Sequence, residues 1–339
     1  MADEIAERLS PERPPRPVPA RDDALRVELT GPLTDVLALR TAVAAFVVRH
    51  FDVPRPRSLT SGDHLARIIE AMYASLRVAG SSSFRFEAAG ADSSAFARLA
   101  TLLHEATGLA YEPEHGELVV RVARGSRNAG ARQDEDPGWD VLVRLGPRPL
   151  SARRWREVDF PGAANATIAA AMSRLAGVRP SERVLNLMCG SGTLLVERLL
   201  AGPAAAAVGV DHDPSALDAA RANLRAAGQR TARLVQADAT SPSGLVAALA
   251  HERFDLVLAD PPWGALHGSH ETGPAVHAGL LRAAHAVTAP AARLAVLTHE
   301  VRVMERAVAD AGALWAAAEP PLRVFAKGHH PRIWLLDRL

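Results

Sequence analysis

The chain has 339 residues, 48% hydrophobic and 23% charged, which is ordinary for a globular protein with two or three domains. No apolar run is long enough to span a bilayer, and the acidic, then proline-rich start resembles neither a secretory signal nor a transit peptide. The net charge of +1 does not indicate nucleic-acid binding, although every basic residue except Lys327 is an arginine. The single cysteine, Cys189, excludes an intramolecular disulfide framework, so we expect a cytoplasmic protein.

The first half of the chain alternates irregularly between strand and helix patterns. Five prolines among charges predict that residues 1–21 form a disordered tail. Strands are predicted at 25–29, 83–87, 117–122 and 139–145, and helices at 34–51, from Ser61 through Met72, and at 93–107, with a polar loop at 124–138. Without a regular strand–helix–strand period, this pattern predicts one or two small α+β modules.

The second half has a regular period. After a helix at 165–176, strands at 183–188, 205–210, 232–236, 254–259 and 293–298 alternate with helices at 193–201, 214–227, 243–251, 275–287 and 301–311. This alternation predicts a doubly wound parallel sheet with helices on both faces. A closing hairpin, 322–336, is expected to add an antiparallel strand.

A glycine-containing turn follows the first strand of that sheet. The apolar run Val184–Leu187 leads into Met188-Cys189-Gly190-Ser191-Gly192-Thr193, and a helical pattern begins at once. Glycine permits tight turns and close approach of a ligand to the backbone, so this sequence predicts a cofactor-binding turn. A P-loop is excluded because Gly-Lys-Ser/Thr is absent, whereas a dinucleotide-binding turn stays possible although Leu195 replaces its third glycine.

Three carboxylates follow at the predicted ends of later strands. Asp211 comes roughly 20 residues after the turn, where a carboxylate binds ribose hydroxyls. Asp238 ends the third strand, and Asp260 ends the fourth within Asp260-Pro261-Pro262-Trp263-Gly264. Because the carboxyl ends of parallel strands meet at one edge of a sheet, these groups predict a single ligand site. Hydride transfer does not need an Asp-Pro-Pro-Trp sequence, which weighs against a dehydrogenase.

The turn, the three carboxylates and the Asp-Pro-Pro-Trp-Gly sequence together resemble the S-adenosylmethionine-dependent methyltransferases that modify exocyclic or amide nitrogens, over residues 160–339. Pro149–Arg156 is similar to the junction in THUMP-domain RNA methyltransferases, which methylate the exocyclic amine of guanosine in tRNA or large-subunit rRNA. Residues 83–145 look like a THUMP domain. Asn186 and Leu187 stand where this group usually has Asp-Pro.

The resemblance implies a fold, a set of domains and a reaction. The fold is a Rossmann-like class I methyltransferase with a seven-stranded, mostly parallel sheet and a C-terminal antiparallel hairpin. The implied domains are the tail 1–21, a ferredoxin-like segment 22–82, a THUMP-like RNA-binding domain 83–150 and a catalytic domain 151–339. S-adenosylmethionine is the implied cofactor and structured RNA the partner, tRNA rather than rRNA, with no membrane and no metal.

The resemblance also assigns roles to individual residues. Catalysis is implied for Asp260, Pro261, Pro262 and Trp263. Cofactor binding is implied for Asn186, Met188, Cys189, Gly190, Ser191, Gly192, Thr193, Asp211, His212, Asp238, Ala239 and Asp260. Contacts with RNA phosphates are expected of Arg121, Arg124, Arg127, Arg153, Arg154 and Arg156. His267, His270 and His277 match no strong metal-ligand spacing, so no metal is expected.

The chemistry explains these residue types. The guanine amine is a poor nucleophile because its lone pair is delocalised, and the Asp260 carboxylate and Pro261 carbonyl can accept its hydrogens. The prolines stiffen the loop, and Trp263 offers a face for a splayed base. Methylation at a pyrimidine carbon would need a thiol beside the fourth strand, but Cys189 lies in the glycine turn. Adenine amines and protein glutamine amides remain alternative acceptors, and Asn186 leaves open an RNA-binding protein with an inactive fold.

Overall fold

The computed structural model of the chain describes residues 1–19, 21–125, 136–262, 273–326 and 328–339. Two compact units, Met1–Ala152 and Arg153–Leu339, make up the protein. Each unit has its own buried apolar clusters, drawn only from its own residues, as expected of separate domains. Within the described ranges, no helix is both long and apolar enough to cross a membrane.

The first unit is built on a mixed five-stranded sheet. Its elements are α1 (Ala2–Leu9), β1 (Arg16–Val18), β2 (Arg21–Arg26), β3 (Phe46–Phe51), α2 (Gly62–Val78), β4 (Ser83–Ala88), α3 (Ser94–Thr107), β5 (Ala110–Tyr111), β6 (Leu118–Arg124) and β7 (Trp139–Arg144), with 3-10 turns at Leu33–Ala38 and Pro56–Thr60. The strand order is β3-β7-β6-β4-β5, and β1 and β2 form a separate hairpin. Met72 of α2 and Leu103 of α3 are fully buried in one cluster with Phe84 of β4, so both helices pack on this sheet.

Helix α1 lies in the segment that was predicted to be a disordered tail. Its Glu4 is buried, and the carboxylate accepts hydrogen bonds from the backbone N–H groups of Arg40 at 2.8 Å and Thr41 at 2.9 Å. Ile5 packs in one cluster with Val36. The hydrogen-bond donors of this carboxylate lie about 36 residues away in the sequence, so no local pattern indicates that Glu4 is buried. The pattern of charges and prolines therefore wrongly predicted a disordered tail.

The helix predicted over residues 34–51 is also absent from the structure. The segment forms a 3-10 turn and then β3, which pairs with β7 about 90 residues later. Long-range strand pairing here overrides a helical spacing of apolar residues. The predicted boundary between residues 82 and 83 falls inside this sheet, because β3 and β4 belong to it together. The two units divide at 152/153, two residues beyond the predicted start of the catalytic domain.

The second unit is a doubly wound sheet flanked by helices. Its elements are α4 (Ala166–Ala176), β8 (Arg183–Leu187), α5 (Thr193–Ala201), β9 (Ala206–Asp211), α6 (Pro214–Ala226), β10 (Arg233–Gln236), α7 (Pro242–Ala248), β11 (Phe254–Ala259), α8 (Gly273–Ala286), β12 (Thr288–Thr298), α9 (Val301–Asp310), β13 (Trp315–Ala317), β14 (Leu322–Arg323) and β15 (Arg332–Arg338). The order is β10-β9-β8-β11-β12-β15-β13, with short β14 beside β15. Strands β8 to β12 are mutually parallel and β15 is antiparallel to β12, which confirms the predicted sheet and closing strand.

The loops that follow strands β8 to β11 all lie at one edge of the sheet, because these strands are parallel. The central residues of β8 and β11 are fully buried, as expected of parallel strands covered on both faces. Met188, His212, Ala237 and Asp260 directly follow β8, β9, β10 and β11, respectively, and therefore emerge at the same carboxyl edge. The missed strand β13 is three residues long, too short to give a periodic signal.

Candidate active site

A cavity of about 760 Å³ opens at this carboxyl edge of the second unit. Its size is that of a site for a cofactor or small substrate. Among the residues predicted to form the site, its walls include Met188, Cys189, Gly190, Ser191, Thr193, Asp211, His212, Asp238, Ala239, Asp260, Pro261 and Pro262. Asn186 and Gly192 are not part of the lining, and Trp263 lies outside the described residues.

The glycine turn is shaped by positive φ angles at alternate residues. Met188, Gly190 and Gly192 have φ values of 50°, 51° and 81°. Gly192 is the N-cap of α5, and a Cβ at this position would come within 3.2 Å of the Ala220 Cβ on α6. Glycine is therefore needed here both for the backbone conformation and for the close approach of α6.

Asp211 holds the turn from the neighbouring strand. Its Oδ2 accepts a hydrogen bond from the Gly190 N–H at 2.8 Å, and its Oδ1 accepts one from the Asp213 N–H at 3.0 Å. The residue is 7% exposed and lines the cavity, with exposed His212 beside it. A carboxylate has about four acceptor positions, so Asp211 keeps capacity for ligand hydroxyl groups while it orients the turn.

Asp238 and Ala239 form the next part of the wall. The Thr240 side chain and backbone N–H both donate to Asp238 Oδ1, at 2.7 and 2.8 Å. These bonds, the one from the Thr240 hydroxyl foremost, lower the pKa of Asp238. The Asp238 carboxylate is therefore ionised and oriented, and the adjoining Ala239 is buried against the cavity.

The structure places Asn186 inside the sheet. The residue is fully buried, and its Nδ2 donates to the carbonyl oxygens of Leu187 at 3.2 Å and Leu258 at 3.1 Å. Among the described residues its Oδ1 has no hydrogen-bond partner. The amide links β8 to β11, and a carboxylate in its place would set an oxygen against these two carbonyl oxygens.

Asp260 is the titratable group with the most unusual surroundings in the cavity. Its Oδ1 is buried and has no hydrogen-bond partner among the described residues. Burial raises the pKa of its carboxyl group to about 7. Pro261 and Pro262 follow it in the cavity wall, and their fixed φ angles limit movement of the loop. Asp260 lines the cavity and is only partly buried as a residue, so its carboxyl group can contact a ligand that donates a hydrogen bond.

Cys189 is unsuited to act as a nucleophile. Its side chain is buried, and burial, with a smaller effect of the Asp211 charge, raises the pKa of the thiol. A raised pKa keeps the sulfur protonated, whereas nucleophilic cysteines need the thiolate. The Sγ also limits Gly209, where a Cβ would lie 3.2 Å from it. Cys189 therefore acts as a small packing residue behind the turn.

One wall of the cavity comes from a segment that the sequence pattern did not indicate. Residues 160–164, just before α4, line the cavity. Arg156 donates to the Ala164 carbonyl oxygen and to Thr193 Oγ1 in the glycine turn, both at 3.0 Å. Fully buried Asn223 of α6 accepts from the Val158 N–H at 3.0 Å and donates to the Ser191 carbonyl oxygen at 3.1 Å. Except for Arg156 and Ala164, which are 8 residues apart, these partners lie 32 to 65 residues apart, beyond any local motif.

The arginines predicted to contact RNA occupy different surroundings. Arg121 pairs with Glu87 at 2.8 Å, and Arg124 pairs with Asp136 at 3.2 Å and stacks on Trp139. Arg153 is nearly buried and forms an ion pair with Glu197. The indole N–H of Trp155 donates a hydrogen bond to the same carboxylate.

Of the others, Arg156 is bonded within the second unit, where burial lowers its pKa. Arg154 is exposed, and Arg127 lies outside the described residues. Arg153 and Arg156 thus stabilise the unit itself.

Of the three histidines considered as metal ligands, only His277 lies among the described residues. His277 is fully buried, with Nδ1 bonded to the Gly273 carbonyl oxygen at 2.9 Å and Nε2 bonded to Thr298 Oγ1 at 3.0 Å. His267 and His270 lie outside the described residues. Over the part of the chain that is described, no group of three or more His, Cys, Asp or Glu side chains is arranged to hold a metal ion.

Comparisons with known proteins identify the second unit. A family model described as RMKL-like, methyltransferase domain, matches residues 153–327. The chain is 29% identical over 333 residues to tRNA (guanine(6)-N2)-methyltransferase of Thermus thermophilus, covering 95% of this chain and 91% of that protein. The crystal structure of TrmN from Thermus thermophilus matches with a TM-score of 0.74 at 26% identity, covering 99% of this chain and 95% of that one.

A shorter match, 38% identical over 98 residues, is to U6 snRNA (guanine-N(2))-methyltransferase THUMPD2 of Bos taurus, covering 29% of this chain and 19% of that protein. These matches confirm the expected class I methyltransferase fold, which the strand order and the site at the carboxyl edge already indicate. The chain belongs to the RMKL-like methyltransferase family.

Proposed function

We propose that the protein transfers a methyl group from S-adenosylmethionine to the exocyclic N2 amine of a guanosine in tRNA. The observation that carries the proposal is Asp260: a buried, unpartnered carboxyl oxygen with a pKa of about 7, set before two prolines in a cavity wall. The acceptor is suggested by relatives whose names specify methylation at guanine N2, among them the Thermus thermophilus and Bos taurus proteins.

The residues of the cavity fit the cofactor. Asp211 offers acceptors for ribose hydroxyls, and Asp238 with the backbone of Ala239 offers an acceptor and a donor for an adenine edge. Buried Ser191 Oγ has no hydrogen-bond partner among the described residues, which suits a polar ligand at the turn. When bound, S-adenosylmethionine supplies an electrophilic methyl group, so the protein itself needs no covalent intermediate.

Asp260 and Pro261 then act on the acceptor amine. The Asp260 carboxylate and the Pro261 carbonyl oxygen, both from residues that line the cavity, accept its two N–H hydrogens and turn the nitrogen lone pair toward the methyl donor. Methylation makes the nitrogen acidic, and a carboxylate whose pKa is about 7 takes the proton that is lost. The stiff Pro261–Pro262 backbone keeps this geometry fixed between turnovers.

The choice of RNA rests on the relatives. Two of them act, by name, on different RNAs, tRNA in Thermus thermophilus and U6 snRNA in Bos taurus, but on the same guanine nitrogen. The similarity to the tRNA enzyme covers almost the whole chain, including the first unit, which favours tRNA. We assign RNA docking to the first unit, where Arg121 and Arg124 pair with Glu87 and Asp136 but stay partly exposed to phosphates. The alternatives to this methyl acceptor are a guanine of rRNA, the N6 amine of adenine and the side-chain amide of a protein glutamine.

The decisive experiment is nucleoside analysis of tRNA and rRNA from a strain that lacks the protein. Loss of an N2-methylguanosine from tRNA, restored by the wild-type gene but not by Asp260→Ala, is expected. Calorimetry should show that purified Asp260→Ala binds S-adenosylmethionine as the wild type does, because Asp260 serves the acceptor amine. Loss of a methyladenosine would replace the guanine assignment, and no cofactor binding by folded wild type would identify an inactive methyltransferase fold.

A further inference from the structure

The turn between β14 and β15 exposes aromatic rings. Phe325 is 66% exposed, and its ring centroid lies 5.4 Å from that of exposed His330. The turn is internally bonded, since the Val324 N–H donates to the Pro331 carbonyl oxygen at 3.0 Å and Ala326 and His329 bridge each other at 2.9 Å. The described residues 324–326 and 328–331, here called the aromatic turn, therefore hold the Phe325 ring out toward solvent, while Val324 and Ala326 pack on the core of the unit.

The sequence around this turn is strongly cationic. Residues 322–332 contain Arg323, Lys327, Arg332 and two histidines, but no aspartate or glutamate, in a chain whose net charge is only +1. The position of Lys327 itself lies outside the described residues. The carboxylate of Glu300 lies near His299, which contacts the turn, but residues 322–332 contribute none. Aromatic faces among cations are the combination that binds single-stranded nucleic acid, because bases stack while phosphates are neutralised.

The strand register places the aromatic turn at the same edge as the cavity. Ala259, just before Asp260, pairs with Val296 in β12, and Thr298 at the end of β12 pairs with Arg332 at the start of β15. The turn precedes Arg332, so it projects beyond the sheet from the edge where Asp260 emerges. It is two strands from β11, or roughly 10 Å at the usual strand spacing.

A second ring pair bridges this distance. His299 directly follows β12, and its ring centroid lies 5.7 Å from that of His329 in the aromatic turn. Thr298 is bonded to His277 at 3.0 Å, and the neighbouring Val276 lines the cavity. His277 and Thr298 are buried, so a row of contacts beneath the surface connects Val276 at the cavity to partly exposed His299 and the aromatic turn.

We propose that the aromatic turn binds the nucleobases next to the methylated guanosine, with Phe325 and His330 as the stacking faces. The inference rests on the proposed function, because it assigns a place to the flanking part of the same RNA strand. A guanosine reaches Asp260 only when it leaves its base stack, and its neighbours then lose a stacking partner. An aromatic face near the cavity replaces that partner and holds the strand in register.

The test uses the full-length protein and a tRNA substrate. Phe325→Ala and His330→Ala are each expected to raise the KM for tRNA about fivefold or more, the loss expected for one stacked base, with kcat at saturating tRNA and the Kd of S-adenosylmethionine unchanged. Leu322→Ala removes a side chain 48% exposed on the same hairpin but carrying no ring, and is expected to behave as wild type. Phe325→Trp keeps an aromatic face at this position and should retain the wild-type KM.

A fluorescence measurement separates stacking from a general effect on folding. The added indole of Phe325→Trp should be quenched when tRNA binds, whereas that of Leu322→Trp should not. Equal quenching of the two, or a KM for Phe325→Ala within twofold of wild type, overturns the inference while leaving the proposed function intact. If wild type methylates no RNA, the proposed function fails and this inference fails with it, a result distinct from a Phe325→Ala variant that methylates tRNA with the wild-type KM.

Discussion

At the scale of single residues, two polar side chains explain the site: Asp260, directly after β11, and Asn186, in the neighbouring strand β8. Asp260 follows β11, and its Oδ1 has no hydrogen-bond partner within the described part of the chain, whereas Asn186 in β8 donates its amide hydrogens to two backbone carbonyls. The substitution of asparagine for the family's usual acid therefore does not remove a group from the cavity lining. What the chain retains at Asp260 is the group that the proposed chemistry requires.

The ionisation of Asp260 predicts the pH dependence of methyl transfer. Burial raises the pKa of this carboxyl to about 7, so it is protonated below that pH and cannot accept both the hydrogen bond and the proton of the amine. We expect kcat/KM for tRNA to fall about tenfold per pH unit below pH 7 and to level above it. A steady-state profile from pH 5.5 to 9 measures this, and a rate independent of pH between 5.5 and 7.5 would contradict the role.

Replacing Asn186 by the acid usual in the family should weaken the fold. In Asn186→Asp, an acidic oxygen faces the carbonyl oxygens of Leu187 and Leu258 in a fully buried site, at a cost of about 2–4 kcal/mol in the free energy of unfolding. The loss should be larger at pH 8 than at pH 5, because only the charged form carries the full penalty. Urea unfolding at both pH values measures it.

Asn165→Asp is the matched control for that change. Asn165 is the N-cap of α4, and its Oδ1 accepts from the Thr167 N–H at 2.8 Å, a place where a carboxylate serves equally well. Its stability should stay within about 0.5 kcal/mol of wild type. A loss in Asn165→Asp as large as that in Asn186→Asp would show that neither environment distinguishes the amide from the acid.

At the scale of elements, the site is made where strands end and helices begin. The glycine turn joins β8 to α5 and is held from β9 by Asp211, while α6 presses Ala220 against it. The segment before α4 reaches the same cavity and is secured by Arg156 and Asn223. The cavity is therefore a product of packing among several elements rather than of the turn alone.

Two glycines with similar backbone angles separate the roles of conformation and packing. Gly192→Ala has to tolerate a φ of 81° and a Cβ 3.2 Å from Ala220, whereas Gly228→Ala has a φ of 74° with open space around the Cβ. Gly228→Ala should cost about 1 kcal/mol in the free energy of unfolding, and Gly192→Ala more. Only Gly192→Ala should also weaken S-adenosylmethionine binding by calorimetry. Equal effects on stability would mean that α6 does not constrain the turn.

At the scale of the whole molecule, the two units are separately cored. The apolar clusters of Arg153–Leu339 use no residue of Met1–Ala152, and every described residue that lines the cavity lies between 160 and 276. The proposal therefore assigns cofactor binding to the second unit and docking of tRNA to the first. This assignment would separate the chemistry from the choice of RNA.

Expression of residues 153–339 alone should therefore separate the two activities. The fragment is expected to bind S-adenosylmethionine with the Kd of the full chain, because it contains all the described residues that line the cavity. Its kcat/KM for tRNA should fall by at least about 100-fold, since a binding unit that neutralises several phosphates is lost. Retention of full activity on tRNA by the fragment would contradict the docking role of the first unit.

The sequence by itself determined the parts of this protein that depend on local order along the chain. The alternation of apolar runs with helical spacing determined the doubly wound sheet, and the residues that end β8, β9, β10 and β11 predicted where the cavity lies, because parallel strands carry their carboxyl ends to one edge. The glycine turn, Asp211, Asp238 and Asp260 were all found in this way.

Only the tertiary structure decided which polar groups face the cavity and which stabilise the fold. Asn186, Arg153 and Arg156 have the residue types expected of binding groups, yet they bond to carbonyls, to Glu197 and to the glycine turn. Their partners come from elsewhere in the chain, so no local pattern contains them. Long-range hydrogen bonds likewise explain why α1 is folded where a tail was predicted. Glu4 can be buried because folding brings backbone N–H donors to its carboxylate.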